Sequence, residues 1–254
     1  MMTRDLLRGV ARSTGLGLFQ QEKHYFLTLV LRALSSSFGQ NLVFKGGTCL
    51  FFFYSLRRFS EGLDFTSNSG LKSERIVPAV LKDLELRGIE ASFRITSDSS
   101  TSYSVRFGLK GPLFESERNR NFIKIEISRR EEVLIPPEFL SLDPIYAEVL
   151  PFSTLVMNVD EIFSEKIRAV MTRNQARDVF DLWFLSKAPV AAKFIEEIVN
   201  SKLSYCGKRF DMETLIASIN RKEALWETEL RPLVFGKLPG FEEVAGDLQE
   251  FRKN

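Results

Sequence analysis

Apolar residues recur along this chain at two spacings, one typical of helices and the other of strands. Over residues 19–36 the apolar positions recur every three to four residues, which predicts a helix with one buried face. Over residues 122–128 isoleucines alternate with polar residues, which predicts a strand with one face toward a core. The same patterns predict further helices over 2–13, about 72–86, 158–172 and 175–186, and further strands over 42–44, 90–96 and 103–109.

The pattern changes in the middle of the chain. Prolines at 136, 137 and 144 indicate a loop-rich crossing, and from about residue 155 the spacing is helical to the end. We therefore predict an α+β protein with a small mixed β-sheet and flanking helices, followed by a helical C-terminal part. The predicted domains are 1–150, mixed and with N-terminal helices, and 151–254, helical.

Composition excludes few classes of function. The 254 residues are 44% hydrophobic and 27% charged, which is ordinary for a globular protein. The chain has 35 basic and 33 acidic residues, a balance that does not identify a nucleic-acid-binding protein. It has 23 phenylalanines against 5 tyrosines, which favours core packing over an exposed stacking platform.

The residues that commonly bind zinc are sparse. Cys49 and Cys206 lie far apart, and His24 is the single histidine, so the spacing of a zinc site is absent. We expect a reduced, cytoplasmic protein. No stretch approaches the roughly 18 apolar residues of a membrane span, so we expect no membrane partner.

The stretch from 41 to 67 carries the first candidate site. A short apolar strand leads into Gly46 and Gly47, which allow a ligand to approach the backbone closely. Thr48 stands where the N-cap of the next helix is expected, and a helix start attracts anions. Asp64 follows on a second strand and is placed to hold a metal ion. The stretch indicates a site for nucleotide phosphate and a divalent metal, unless it is an ordinary strand–turn–helix corner.

Three charged side chains on the other predicted elements need an explanation. Glu126 lies on the polar face of its strand, either as a solvated residue or as a metal ligand. Lys166 lies within the apolar stripe of its helix, where it either snorkels to solvent or reaches a phosphate. Asp181 is surrounded by apolar residues and is costly unless it is paired. Its partner is expected to be Arg177 or Lys166.

Four short segments together resemble a known family. They are Lys45-Gly46-Gly47-Thr48, Arg58-Phe59-Ser60-Glu61-Gly62-Leu63-Asp64-Phe65-Thr66, Glu165-Lys166-x-x-Ala169 and Arg177-Asp178-x-x-Asp181-Leu182. Their order and spacing over residues 42–185 are similar to those of the AbiEii/AbiGii toxin family of nucleotidyltransferases.

The resemblance implies a nucleotidyltransferase-like sheet domain, followed by helices that close over the nucleotide. It implies a metal-dependent toxin of a toxin–antitoxin or abortive-infection system. Such a toxin transfers a nucleotide from a nucleoside triphosphate (NTP) to an acceptor such as tRNA or another RNA, with Mg²⁺ or Mn²⁺ as cofactor and a winged-helix antitoxin as partner. The implied catalytic residues are Asp64, Lys166 and Asp181, the metal ligands are Asp64 and Glu126, and the nucleotide contacts are Lys45, Gly46, Gly47, Thr48, Arg58, Ser60, Arg177 and Asp178.

One position departs from the family pattern. Gly62 stands where the first aspartate of the metal motif is expected, and on a strand that aspartate would share a face with Asp64. The alternative function is therefore a catalytically inactive protein of this fold that binds nucleotide, RNA or an antitoxin. Its phosphate contacts would come from Arg57, Arg58, Arg129 and Arg130. A third hypothesis is an interaction protein whose apolar surface, including residues 51–54, binds an antitoxin.

Overall fold

The computed structural model describes residues 2–68, 70–187 and 190–250. The helices of these residues are α1 (Arg4–Thr14), α2 (Leu18–Phe38), α3 (Gly46–Phe53), α4 (Ile76–Leu86), α5 (Val159–Thr172), α6 (Ala176–Leu185), α7 (Glu196–Ser204), α8 (Met212–Asn220), α9 (Glu223–Leu230) and α10 (Phe241–Glu250). The strands are β1 (Leu42–Lys45), β2 (Gly62–Ser67), β3 (Glu90–Asp98), β4 (Ser102–Lys110), β5 (Asn121–Ser128), β6 (Glu138–Leu142) and β7 (Phe152–Val156).

These strands form one mixed sheet with the order β3-β4-β5-β2-β1-β7-β6. The pairs β2–β5 and β1–β7 are parallel, and the other neighbours are antiparallel. The predicted α+β class is confirmed. The strands predicted over 90–96 and 103–109 are also confirmed, and they extend the sheet that holds Asp64.

The loop-rich crossing predicted before residue 155 is wrong, because β6 and β7 form a hairpin there. Both strands are short, and prolines at 136, 137, 144 and 151 flank them. Proline is tolerated next to strands and on an edge strand such as β6. These prolines therefore obscured the strand pattern and did not prevent pairing.

One face of the sheet forms the core of its unit. Val105, Phe107, Ile123 and Ile125 are fully buried, and α2 packs against β5 and β7 with α4 against β3. On the other face, Arg106 of β4 and Lys124 and Glu126 of β5 are exposed, whereas Ser104 of β4 is buried. The alternation predicted for residues 122–128 thus separates a core face from a solvated face.

The chain separates into two compact units. The first comprises Met1–Cys49, Glu61–Glu132 and Pro137–Val156 and holds the whole sheet; the second comprises Leu50–Ser60, Val133–Pro136 and Met157–Asn254 and holds α5–α10. Within the second unit, the Phe59 amide donates to the Leu233 carbonyl at 2.8 Å and the Phe235 amide to the Arg57 carbonyl at 2.9 Å. The domain boundary near residue 150 stays a prediction.

None of the helices that the structure describes is both long enough and apolar enough to cross a membrane.

Candidate active site

The turn between β1 and α3 brings a glycine against a carboxylate of β2. Gly46 has a φ of 79°, and a Cβ built on it would lie 2.5 Å from Oδ2 of Asp64. The left-handed backbone and the lack of space both require glycine here. The Asp64 side chain is thereby held beside the backbone at the start of α3.

The expectation that Thr48 caps the helix is wrong. The helix α3 begins at Gly46, where the positive φ turns the chain three residues earlier than an N-cap at Thr48 would. Thr48 is fully buried inside the helix, and its hydroxyl donates to the Gly62 carbonyl. It therefore fastens β2 to α3.

Asp64 and Glu126 lie side by side on adjacent parallel strands. The register of β2 and β5 pairs the two residues, and paired residues project from the same face. Glu126 thus stands on the strand next to that of Asp64, as expected. Its carboxylate also pairs with Lys124, whose Nζ lies 2.9 Å from Oε1.

Gly62 lies opposite Lys124 in the same register. A Cβ on Gly62 would lie 3.2 Å from the Lys124 carbonyl oxygen and 3.9 Å from its Cβ, so a side chain there requires the backbone of β5 to move by a few tenths of an ångström. Lys124 therefore lies directly beside the position at which the family pattern has a carboxylate.

The donor set suits a divalent cation that is shared with a phosphate. Among the residues that the structure describes, no three Asp, Glu, His or Cys side chains are grouped to hold a metal ion. Mg²⁺ is commonly bound by one or two carboxylates, and substrate phosphates and water complete its shell. Asp64 and Glu126 supply two carboxylates on one face, so the residues present fit such a cation.

Lys45, at the end of β1, is buried with an acidic neighbour. Its Nζ lies 3.8 Å from Oε2 of Glu131, and Arg130 donates to Oε1 of the same carboxylate at 2.7 Å. Arg129 pairs with Asp98 at 2.8 Å. Lys45, Arg129 and Arg130 are therefore engaged within the first unit.

The second unit contains a buried cluster of charges. Arg58 donates through Nε and Nη2 to the two carboxylate oxygens of Asp181, each at 2.6 Å. Lys166 Nζ lies 2.7 Å from Oδ2 of Asp181 and 2.9 Å from Oδ1 of Asp178. Two cations and two carboxylates thus balance one another, since a buried charge is costly unless it is paired.

The pKa values in this cluster follow from its pairing. Burial alone lowers the pKa of Lys166, but Asp178 and Asp181 outweigh burial and hold the pKa above its usual value. Burial alone raises the pKa of Asp181, but Arg58 and Lys166 outweigh it and hold the pKa below its usual value. Lys166 and Asp181 are therefore both charged at neutral pH.

The second oxygen of Asp178 has no partner in the described residues. Oδ1 accepts from Lys166, whereas Oδ2 is buried and accepts no hydrogen bond. A buried acceptor without a donor is uncommon and costs free energy. This atom is therefore a candidate contact for a hydroxyl of a ligand.

Of the two partners expected for Asp181, Lys166 is confirmed, whereas the prediction of Arg177 is wrong. Arg177 donates to Gln175 at 3.0 Å instead. The principal partner is Arg58, 123 residues away, which sequence spacing does not indicate. Ser60 lies in the connection between α3 and β2.

The aromatic surface proposed for an antitoxin lies partly on a cavity of the second unit. Phe53 and Tyr54 line a cavity of about 870 Å³, together with Trp183 and Phe235. The side chains of Phe53 and Tyr54 are each only partly exposed.

Comparison with known proteins points to one family. A family model described as the nucleotidyl transferase AbiEii toxin of type IV toxin–antitoxin systems matches residues 29–247. A search of curated proteins finds no significant match.

Solved structures are similar over nearly the whole chain. The nucleotidyltransferase toxin MenT4 of Mycobacterium tuberculosis has a TM-score of 0.68 and 19% identity, covering 99% of this chain and 88% of its own. A Helicobacter pylori structure described as a nucleotidyltransferase has a TM-score of 0.62 and 22% identity, covering 94% and 95%. The Helicobacter pylori protein JHP933 has the same score and identity, covering 94% and 92%. At these identities the likeness establishes the fold.

Proposed function

Because the chain belongs to the AbiEii family of nucleotidyltransferase toxins of type IV toxin–antitoxin systems, we propose that it transfers a nucleotide from an NTP to an RNA acceptor such as tRNA. An acceptor hydroxyl oxygen bonds to the α-phosphorus, the bond from that phosphorus to the β-phosphate breaks, and pyrophosphate leaves. The hydroxyl gives up its proton to a carboxylate or to water. The observation that carries the proposal is the aligned pair Asp64 and Glu126 beside the glycine turn at Gly46.

In the first unit, the β1–α3 turn would receive the triphosphate. Gly46 and Gly47 leave the backbone accessible, and amides at the start of α3 favour anions. Asp64 and Glu126 would hold Mg²⁺ or Mn²⁺, which neutralises phosphate charge when it is bound. The cation of Lys45 beneath this turn would add to the positive potential, and Thr48 would keep β2 in place.

In the second unit, Lys166 would contact the NTP or orient the acceptor. Asp181 and Arg58 hold Lys166 in place, which supports a positioning role for Arg58 in addition to the nucleotide contact implied for it. Oδ2 of Asp178, which accepts no hydrogen bond among the described residues, supports a contact with a nucleotide hydroxyl. Ser60 and Arg177 would make further nucleotide contacts by family likeness.

Gly62 favours a second candidate function, a protein of this fold that binds nucleotide, RNA or an antitoxin without transfer. With glycine at this position the metal site lacks a carboxylate, and the carboxylate of Glu126 is shared with Lys124. Fewer ligands weaken the binding of the cation and slow the reaction.

Restoring the carboxylate tests both functions. We expect Gly62→Asp to transfer label from an NTP to total tRNA at least tenfold faster than the natural chain, because a second β2 carboxylate joins Asp64; tenfold corresponds to about 1.4 kcal/mol. The measurement is incorporation of each labelled NTP into tRNA with Mg²⁺ or Mn²⁺. Gly62→Asn is the matched control, since it adds the same volume without charge.

The outcomes separate the candidates. Equal rates for Gly62→Asp, Gly62→Asn and the natural chain would contradict the account of an impaired metal site. If no version transfers label but each binds an NTP, the non-catalytic function is favoured. If none binds an NTP, both should be abandoned.

We further propose that the partner is a winged-helix antitoxin encoded beside this chain. Because NTPs and tRNA are cytoplasmic, we expect the reaction there. Co-expression of the neighbouring gene should relieve growth arrest caused by the Gly62→Asp variant.

A further inference from the structure

Three basic side chains lie in one row across the exposed face of the sheet. Register pairs Arg94 of β3 with Arg106 of β4, and Arg106 with Lys124 of β5. The next residue of the row is Gly62 of β2. All three basic residues are exposed, and we call them the basic row.

This arrangement opposes the stability of the sheet. Like charges directly opposite each other on neighbouring strands repel. Within the described residues, neither Arg94 nor Arg106 has an ion pair, and only Lys124 pairs with a carboxylate, that of Glu126. Arg106 instead stacks on Phe122, with Cζ 3.9 Å from the ring centroid. A ligand with several negative charges would relieve the repulsion.

The basic row ends beside the carboxylate pair. Neighbouring strands are about 4.8 Å apart, so the row spans roughly 10 Å from β3 to β5. Two residues further along β5 and β2 lie Glu126 and Asp64, on the same face of the sheet. A chain of phosphates held by the row would therefore be led toward the pair to which we assign the metal.

We propose that Arg94, Arg106 and Lys124 bind the phosphate backbone of the RNA acceptor. The inference rests on the proposed function in that it identifies the bound polyanion with the acceptor. Arginine suits this task because its guanidinium offers several donors to phosphate oxygens. Serine and threonine hydroxyls at Ser92 and Thr96 of the edge strand flank the row and offer further polar contacts.

The test compares RNA binding by the natural chain and the Arg94→Ala/Arg106→Ala double variant. Fluorescein-labelled total tRNA is titrated with protein at several salt concentrations, and polarisation is measured. We expect the double variant to bind at least tenfold more weakly at low salt. The slope of log Kd against log salt should fall by about 1 to 2, because each phosphate contact contributes just under one.

Lys82→Ala is the control. Lys82 is exposed on α4, which packs with its buried residues toward the core, so its loss should leave the Kd and the slope unchanged. The double variant should nearly keep the melting temperature, since relief of the like-charge repulsion offsets loss of the Arg106 stack on Phe122. A residue pair with a merely structural role would lower it.

Two results would overturn the inference. One is an unchanged Kd and salt slope in the double variant, and the other is an equal loss in Lys82→Ala. Because the row is proposed to contact phosphate, a labelled single-stranded DNA of similar length should also bind the double variant more weakly. A loss of affinity for tRNA alone would contradict contacts to phosphate.

Failure of this inference can be told apart from failure of the proposed function. If the double variant binds RNA more weakly but no version of the protein transfers a nucleotide, RNA binding by the basic row is supported and the transferase proposal fails. If the double variant transfers a nucleotide with the same KM for tRNA as the natural chain, the transferase proposal is supported and RNA binding by the basic row is contradicted.

Discussion

At the scale of single residues, the buried ions of the second unit are expensive to keep. Replacing a buried ion pair by apolar residues is often neutral or stabilising, because two charges must lose their water. Arg58, Lys166, Asp178 and Asp181 are nevertheless buried or nearly so. Stability alone does not require this cluster, and a firmly held ammonium agrees with the contact that we propose between Lys166 and the NTP or the acceptor.

His24 lies in a buried polar cluster of the first unit. Its Nδ1 lies 2.7 Å from the hydroxyl of Tyr146, and Tyr146 also accepts from Gln21 at 2.6 Å. Burial lowers the pKa of His24 from 6.5 to about 4. The ring is therefore neutral in the folded protein at pH 5 to 7.

This pKa makes folding sensitive to pH. A depressed pKa means that the unfolded chain binds the proton first, so the stability from His24 is present above pH 6.5 and is lost as the pH falls toward 4. We expect the natural chain to lose about 2 kcal/mol more than His24→Gln between pH 7 and 4.5. Urea unfolding at both pH values measures this difference.

The single histidine gives a direct check. Its C2 proton should titrate near pH 4 in the NMR spectrum of the folded protein. A value near 6.5 would show that the ring is solvated and would remove the basis for the pH effect.

At the scale of elements, the turn between β1 and α3 depends on one glycine. We expect Gly46→Ala to destabilise the protein by about 1–3 kcal/mol, because alanine is strained at a φ of 79° and its Cβ collides with Asp64. Chemical denaturation measures the loss of stability.

Gly9→Ala is the matched control for that substitution. Gly9 lies in the exposed helix α1, and a Cβ there meets nothing within 4 Å. Alanine should stabilise it by about 0.5–1 kcal/mol. Equal effects of the two substitutions would mean that Gly46 is not constrained by Asp64.

At the scale of the whole molecule, the proposed metal should bind together with the NTP. We expect Mg²⁺ alone to leave the melting temperature unchanged and Mg²⁺ with a non-hydrolysable NTP to raise it. A ligand that binds only the folded state at 100 times its Kd contributes about 2.7 kcal/mol. Differential scanning fluorimetry with and without EDTA measures the shift.

The Asp64→Asn variant is the control for metal binding. It should lose the part of the shift that depends on Mg²⁺ and keep the part due to the NTP. A rise with Mg²⁺ alone, retained in Asp64→Asn, would place the cation elsewhere.

Much of the architecture follows from sequence patterns alone. Alternation along 122–128 and the helical spacing along 19–36 predicted β5 and α2 within two residues of their ends, since both reflect which face is buried. The four family segments predicted the fold and the family, both of which are confirmed. The pattern failed at β6 and β7, where short strands lie among prolines.

The sequence by itself determined most of the elements, the family, the glycine turn and the missing carboxylate at Gly62, because these depend on local residue order. Only the tertiary structure decided that Arg58 pairs with Asp181, that Thr48 binds Gly62, and that Arg94, Arg106 and Lys124 stand in one row. Pairing and strand register join residues far apart in the chain, and they are selected by the packing of whole elements rather than by their neighbours in sequence.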